Sequence, residues 1–380
     1  MSDSNDILSR KEMFDHFARG MAKQVDSLIA EGGLEPGRGL LKTYVLEADQ
    51  RGVAEEALGE RVAAIAHGVP GIEEIEPTRD RDLFKITWTL KSARQTKRHV
   101  FFLDTKHERM WRLYGDSNSE VTDRFWRRLT KTASWLDGTW LPRQFLGRLC
   151  QRQLGALTGV TSKFVQRVLG PGKEEDRRSL SVKVWGTQAP AALDALQPLQ
   201  DSFALTGLRL RYYGRWEEAA HDEITFDGKL TCWGRSLEAH NELVDRVFDE
   251  EYLGLLRDRL EERFRIRTDG AGGILGEPAY IKFAAPIGSM DRFVNDLLSS
   301  SARFRLVEID KSVGETFARI VAVDEHVGQS LVLEVLPDRL RVMLTRDACS
   351  NTLLRILTII QQDFDPAAEL VDADGNDVFA

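Results

Sequence analysis

Asp104-Thr105-Lys106 closes the apolar run HVFFLDTK (99–106). A carboxylate two residues before a lysine is a pair that metal-dependent phosphodiester hydrolysis can use. The acid would hold Mg²⁺ and the lysine would steady charge at the cleaved phosphate. Such a site needs a second acid to share the metal, and the preceding run LFKITWTL carries none in its body. Asp82 stands just before that run, and Glu56 and Glu60 lie on a predicted helix. Glu56, Asp82, Asp104 and Lys106 are thus the candidate nuclease set. The rival reading is a hairpin turn, in which an Asp bonds its own downstream backbone. The chain repeats an Asp before a basic residue at Asp227-Gly228-Lys229 and Asp338-Arg339, each between two strand-like runs, and this favours the turn.

Other clusters are thinner. His221-Asp222-Glu223 precedes a strand-like run and reads as a charged, solvated loop in preference to a metal site. DADGND (372–377) opens like a calcium loop, but its glycine is misplaced, so it reads as a turn. Cys150, Cys232 and Cys349 are far apart and show no zinc spacing or disulfide framework. Phosphate-loop, nucleophile-elbow and dinucleotide fingerprints are missing. These spacings lead to no expected catalytic set, cofactor or metal.

The elements that must carry these residues follow a recurring order. Residues 1–33 hold an amphipathic helix in which Ile7, Phe14, Met21 and Leu28 recur every seven residues. It reads as docking on its own domain, with a partner helix as the alternative. Residues 40–136 alternate as β-α-β-β-β-β-α, residues 277–365 repeat the pattern, and 179–266 carry a shortened version ending in a long charged helix near 237–264. A basic connector fills 137–178 and a tail follows from 366 to 380. The fold class is α+β, with three related antiparallel sheet-plus-helix units. The element order resembles ferredoxin-like or TATA-binding-protein-like layers, which implies sheets with helices on one face and transfers no function.

The net charge of −8 conceals an asymmetry: between Leu83 and Lys173 there are 18 Lys/Arg against six Asp/Glu, and five of the eight tryptophans lie in the same window. Such segregation points to a polyanion-facing surface, or to a basic face docked on the chain's own acids. Within the window, QRQLGALTGVTSKFVQRVLG (151–170) resembles a helix-turn-helix motif, with Gly159 at the turn and Leu154, Val160, Val165 and Val168 between the helices. The resemblance implies DNA contacts from Thr161, Ser162, Lys163, Gln166 and Arg167, and phosphate contacts from Arg148 and Arg152. The alternation of VTSKFVQRV fits a strand equally. Arg124, Arg127, Arg128 and Lys131 interleave with Trp126 and Trp135 and complete the candidate nucleic-acid surface.

No apolar run of about 20 residues is present for a membrane span, and the N-terminal stretch is polar. The expected protein is cytoplasmic: a non-enzymatic nucleic-acid-binding or sensing subunit with DNA or RNA as partner. The alternative is a scaffold or adaptor of a bacterial multi-protein assembly, in antiphage defence or DNA maintenance, meeting a protein partner through the N-terminal helix or the acidic units. A metal-dependent nuclease ranks third.

Overall fold

Strand β1 (Leu41–Ala48) is buried at every position. A strand without polar–apolar alternation needs cover on both faces of its sheet, and this requirement explains the first of the two compact units into which the chain divides. The computed structural model describes residues 7–31, 40–50, 57–91, 96–152, 154–165, 179–199, 204–213, 219–270, 272–299 and 301–380.

The first unit comprises 1–139 and 210–248. Helix α1 (Arg10–Ala30), capped by Ser9, precedes β1. Helix α2 (Leu58–Gly68), β2 (Ile72–Pro77), β3 (Leu83–Lys91), β4 (Thr96–Asp104), β5 (Met110–Gly115), α3 (Ser119–Thr132) and β6 (Leu136–Gly138) follow. After an excursion into the second unit come the end of β9 (Ala204–Tyr213), β10 (Ala219–Thr225), β11 (Lys229–Gly234) and α6 (Leu237–Val244). Sheet order here is β2-β3-β4-β5-β1-β11-β10-β9, with β6 also on β1.

One sheet face packs Trp88, Trp111, Phe101 and Leu113 under Val62 and Ile65 of α2 and Phe125, Trp126 and Leu129 of α3. The other packs Leu83, Phe102, Tyr114 and Cys232 under Met13, Phe17 and Met21 of α1 and Leu237 of α6. The expectation of helices on one face is corrected: α1 and α6 cover the second. The apolar stripe of α1 docks within its own unit because burying it there removes it from water.

The second unit comprises 140–209 and 249–380. It holds α4 (Arg143–Gln151), β7 (Ala156–Val165), β8 (Ser179–Trp185), α5 (Ala189–Leu196) and the start of β9, with β7 between β9 and β8. Wide π-type turns extend α6 through Asp245–Tyr252 and Leu255–Glu261 into α7 (Glu262–Phe264). Then come β12 (Arg265–Thr268), β13 (Ile274–Leu275), β14 (Ala279–Lys282), α8 (Met290–Ser299), α9 (Ser301–Phe304), β15 (Leu306–Val313), β16 (Ala318–Asp324), β17 (Gln329–Leu336), β18 (Arg339–Thr345), α10 (Asn351–Asp363) and β19 (Glu369–Val371). Their order is β13-β12-β18-β17-β16-β15, with β14 joining β18 to β19. Buried in this unit, Asp324 accepts from Arg355 on α10 at 2.6 Å and from Thr352.

The class is α+β with large antiparallel sheets, as the element order implies. The packing divides residues 179–266 differently from the pattern: β10, β11 and α6 complete the sheet begun by β1, through pairs such as Leu41–Cys232 and Thr43–Leu230.

The helix-turn-helix expectation is corrected. Residues 156–165 form a strand, paired residue by residue with β8 from Gly159–Trp185 to Val165–Ser179. The alternation of β-branched residues prevails over the helical reading. Gly159 serves close packing rather than a turn: a Cβ there would lie 2.8 Å from Arg209 Cβ and 2.9 Å from Trp185 Cδ1. Gln166, Arg167 and Val168 lie outside the described residues.

Candidate functional site

The nuclease set is built around Arg10. Asp104 ends β4 and is nearly buried, and both its oxygens accept from the Arg10 guanidinium at 2.9 Å. Asp82 takes the same guanidinium at 2.9 Å. The position between two carboxylates, where a metal would sit, is therefore filled by a cation of the chain itself. Burial works against the Arg10 charge, but the hydrogen bonds and charges of Asp104 and Asp82 outweigh it and raise its pKa above the usual arginine range. Lys106 is exposed, and its backbone N–H donates to Asp104 Oδ1 at 3.0 Å, the geometry of an Asp-initiated turn. Asp82 and Asp104 come together as acids, but around arginine. Glu56 lies outside the described residues.

The matching turns behave alike. Gly228 between β10 and β11 has φ +72° and Thr225 donates to Asp227. Asp338 between β17 and β18 pairs with Arg339 at 2.7 Å. Asp372 of DADGND accepts backbone N–H bonds from Asp374 and Asn376 and a 2.6 Å contact from Arg263.

Much of the basic window is consumed inside its own units. Arg109 pairs with Glu47, Arg112 with Asp245, and Arg143 with Glu369. Arg148 and Arg152 both hold Glu251, at 3.7 and 3.2 Å, which makes them structural partners of that acid. Burial, then the nearby Arg259 and Arg152, press Arg148 below the usual arginine range, against the pull of Glu251. Trp88, Trp111, Trp126 and Trp140 are core residues, and Trp135 packs edge-on to Trp111 under Arg61. The expectation that Trp126 and Trp135 join the nucleic-acid surface is corrected: Trp126 lies in the core under the inner side of its helix, and Trp135 is partly buried against the same core.

The cations on α3 remain at the surface. Arg124, Arg127, Arg128 and Lys131 follow at i, i+3, i+4 and i+7, so they share one stripe. Val121, Phe125, Trp126 and Leu129 face the core on the other side. With Glu120 and Asp123 the four line a shallow depression of about 400 Å³. Arg124 pairs with Glu120 at 3.3 Å, and Arg128 reaches the Pro70 carbonyl and lies over Trp88. Asp123 is engaged by Tyr44 and by Lys229 at 2.7 Å. Arg127 and Lys131 are exposed and enter no ion pair among the described residues.

A second cationic surface escaped the sequence reading. Paired residues on antiparallel strands share a face, so Thr161 and Lys163 of β7 lie beside Lys183 and Trp185 of β8. Trp185 is 44% exposed, with Lys183 Nζ 4.1 Å and Arg209 Cζ 4.6 Å from its ring centre. Ser162 points to the opposite side and is buried along a cavity of about 630 Å³ with Cys150 and Leu193. Burial pushes the Cys150 thiol up to about 11, so it is a poor thiolate. The Lys-x-Trp spacing of LSVKVWG was the available signal, since alternate strand residues share a face.

The His221-Asp222-Glu223 expectation is corrected too. These residues lie within β10 rather than a solvated loop, and alternation separates them. His221 stacks on Trp233, while Asp222 turns into the core. There His240 Nδ1 of α6 lies 2.9 Å from Asp222 Oδ1, and Tyr212 donates to Oδ2. Thr43 Oγ1 stands 2.8 Å from His240 Nε2. The order Thr–His–Asp is that of a nucleophilic relay, but all three side chains are sealed from solvent, so a substrate has no route to Thr43.

Among the described residues no helix is long and apolar enough to cross a membrane. The uncharacterized protein MJECL33 of Methanocaldococcus jannaschii is similar to the chain, 24% identical over 403 residues, covering 95% of this chain and 93% of the relative. The family described as MJECL33-like protein matches residues 1–379, nearly the whole length, and the chain belongs to that family.

Proposed function

We propose that the protein is a cytoplasmic, non-enzymatic nucleic-acid-binding subunit that grips the phosphate backbone with α3. The observation that carries this is the outward stripe Arg124, Arg127, Arg128 and Lys131, in which Arg127 and Lys131 are exposed and enter no ion pair among the described residues, while most neighbouring cations are engaged inside their units. A stripe one helical face wide follows successive phosphates, and phosphate contacts position a ligand without reading its sequence. Trp185, flanked by Lys183 and Arg209, supplies on the second unit a ring on which an unpaired base can stack. That feature favours single-stranded DNA or RNA.

The test is fluorescence anisotropy of labelled single- and double-stranded oligonucleotides across a salt series. Removing two phosphate contacts with Arg127→Glu and Lys131→Glu should flatten the log–log salt slope by about 1.4 on single strands or 1.8 on duplex. Trp185→Ala should weaken single-strand binding by about 1–3 kcal/mol and spare duplex binding. Absence of binding at low salt, or binding indifferent to the α3 changes, would overturn the reading.

A further inference from the structure

Asp222 and Cys232 are direct partners across the β10–β11 ladder, so their side chains leave the same face of the sheet. His240 descends onto them from α6, whose start is pinned by Ser236 accepting from the Ala239 N–H at 3.2 Å. A carboxylate oxygen, the thiol sulfur and a ring nitrogen from these residues all lie within 4.8 Å of one another, and each residue is 0% exposed. We propose that Asp222, Cys232 and His240 bind a divalent metal ion of the zinc class, which locks α6 to the β10–β11 hairpin.

Three features of the site fit such an ion. The donors are thiolate, imidazole and carboxylate, the set that zinc takes. A dication with one thiolate and one carboxylate sums to zero charge, which a dry interior tolerates. The surrounding shell is also in place. Tyr212 donates to Asp222, and Thr43 Oγ1 can accept from His240 Nε2–H, so that Nδ1, which lies 2.9 Å from Asp222 Oδ1, carries the lone pair that would ligate an ion shared with that carboxylate. The role is structural, since solvent does not reach the ion. The inference is independent of nucleic-acid binding.

The test uses the full chain purified after growth in zinc, with metal content measured by mass spectrometry and the ion then replaced by cobalt. About one zinc per chain is expected. The cobalt form should show a thiolate-to-metal charge-transfer band, and chelation should lower Tm. Cys232→Ser, checked for folding by circular dichroism, should lose the band and most of the zinc. Zinc-loaded wild type without stoichiometric metal, a cobalt form without the thiolate band, or a folded Cys232→Ser chain that keeps its zinc would each overturn the proposal. If the variant does not fold, the wild-type metal content and cobalt spectrum decide alone.

Discussion

Asp104 and Asp222 stand at two hairpins of one unit and exchange the roles their local sequences suggest. Asp104, in Asp-Thr-Lys, looks like half of a metal site and instead clasps Arg10. Asp222, in a run that looks like a charged loop, enters a buried set of metal-ligating side chains. Asp372 sides with Asp104: its DADGND setting suggests calcium, and it is held by Asn376 and Arg263. A short acidic motif thus announces a turn, because the turn's hydrogen bonds are local and need only neighbouring residues. Convergence of distant ligands leaves no such mark.

The comparison is broken most severely at Asp222. Asp222→Ala strips a sealed histidine and tyrosine of their shared partner, and urea unfolding should show a loss of about 3–5 kcal/mol. Arg10→Ala comes next. Its pairs are only partly buried, so the expected loss is about 1–3 kcal/mol, between the surface and buried limits. Arg10→Lys should recover only part of it, because one ammonium cannot reproduce the two-pronged grip on Asp104. If Arg10→Ala instead cost nothing, the clasp would be incidental and Asp104 would be open to another cation.

The smallest effect is at Asp372, whose pKa is held down to about 2 by Asn376 first and Arg263 after it. A free aspartate titrates near ~3.9. The depressed folded value means that its stabilisation is full above about pH 4 and is lost as pH falls toward about 2. Acid unfolding of Asp372→Asn should therefore be flatter than wild type in that window. Identical curves would remove Asp372 from the group of satisfied turn acids.

Much of the fold was legible. The Asp-bearing hairpins are local, and Asp227-Gly228 needs the positive φ that glycine supplies. The long helix beginning at Leu237 shows its period in Leu237, Leu243, Val244 and Val247, all buried. The heptad stripe of the N-terminal helix was legible in Ile7 and Met21, which are buried, whereas Met13 and Phe17 complete the buried face and Phe14 and Leu28 are only partly covered. Residues 151–170 were not decidable, because a Gly-containing run of β-branched residues serves a turn or a strand, and the β8 partner settles it. The acid–thiol–imidazole cluster was illegible for a different reason. Asp222 and His240 are 18 residues apart on different elements, and Thr43 lies 197 residues from His240, so only the β1–β11 pairing joins them. The α3 cations were visible as charge, while the inward fate of Trp88 and Trp111 required the sheet.

Anomalous X-ray scattering at the zinc edge, on crystals of the full chain grown from zinc-loaded protein, tests the contrast most directly. The account predicts one strong peak enclosed by Asp222, Cys232 and His240, and none at Asp82–Asp104 or at Asp372. A peak between Asp82 and Asp104 with Arg10 displaced, or no peak in the Asp222 cluster, would contradict it.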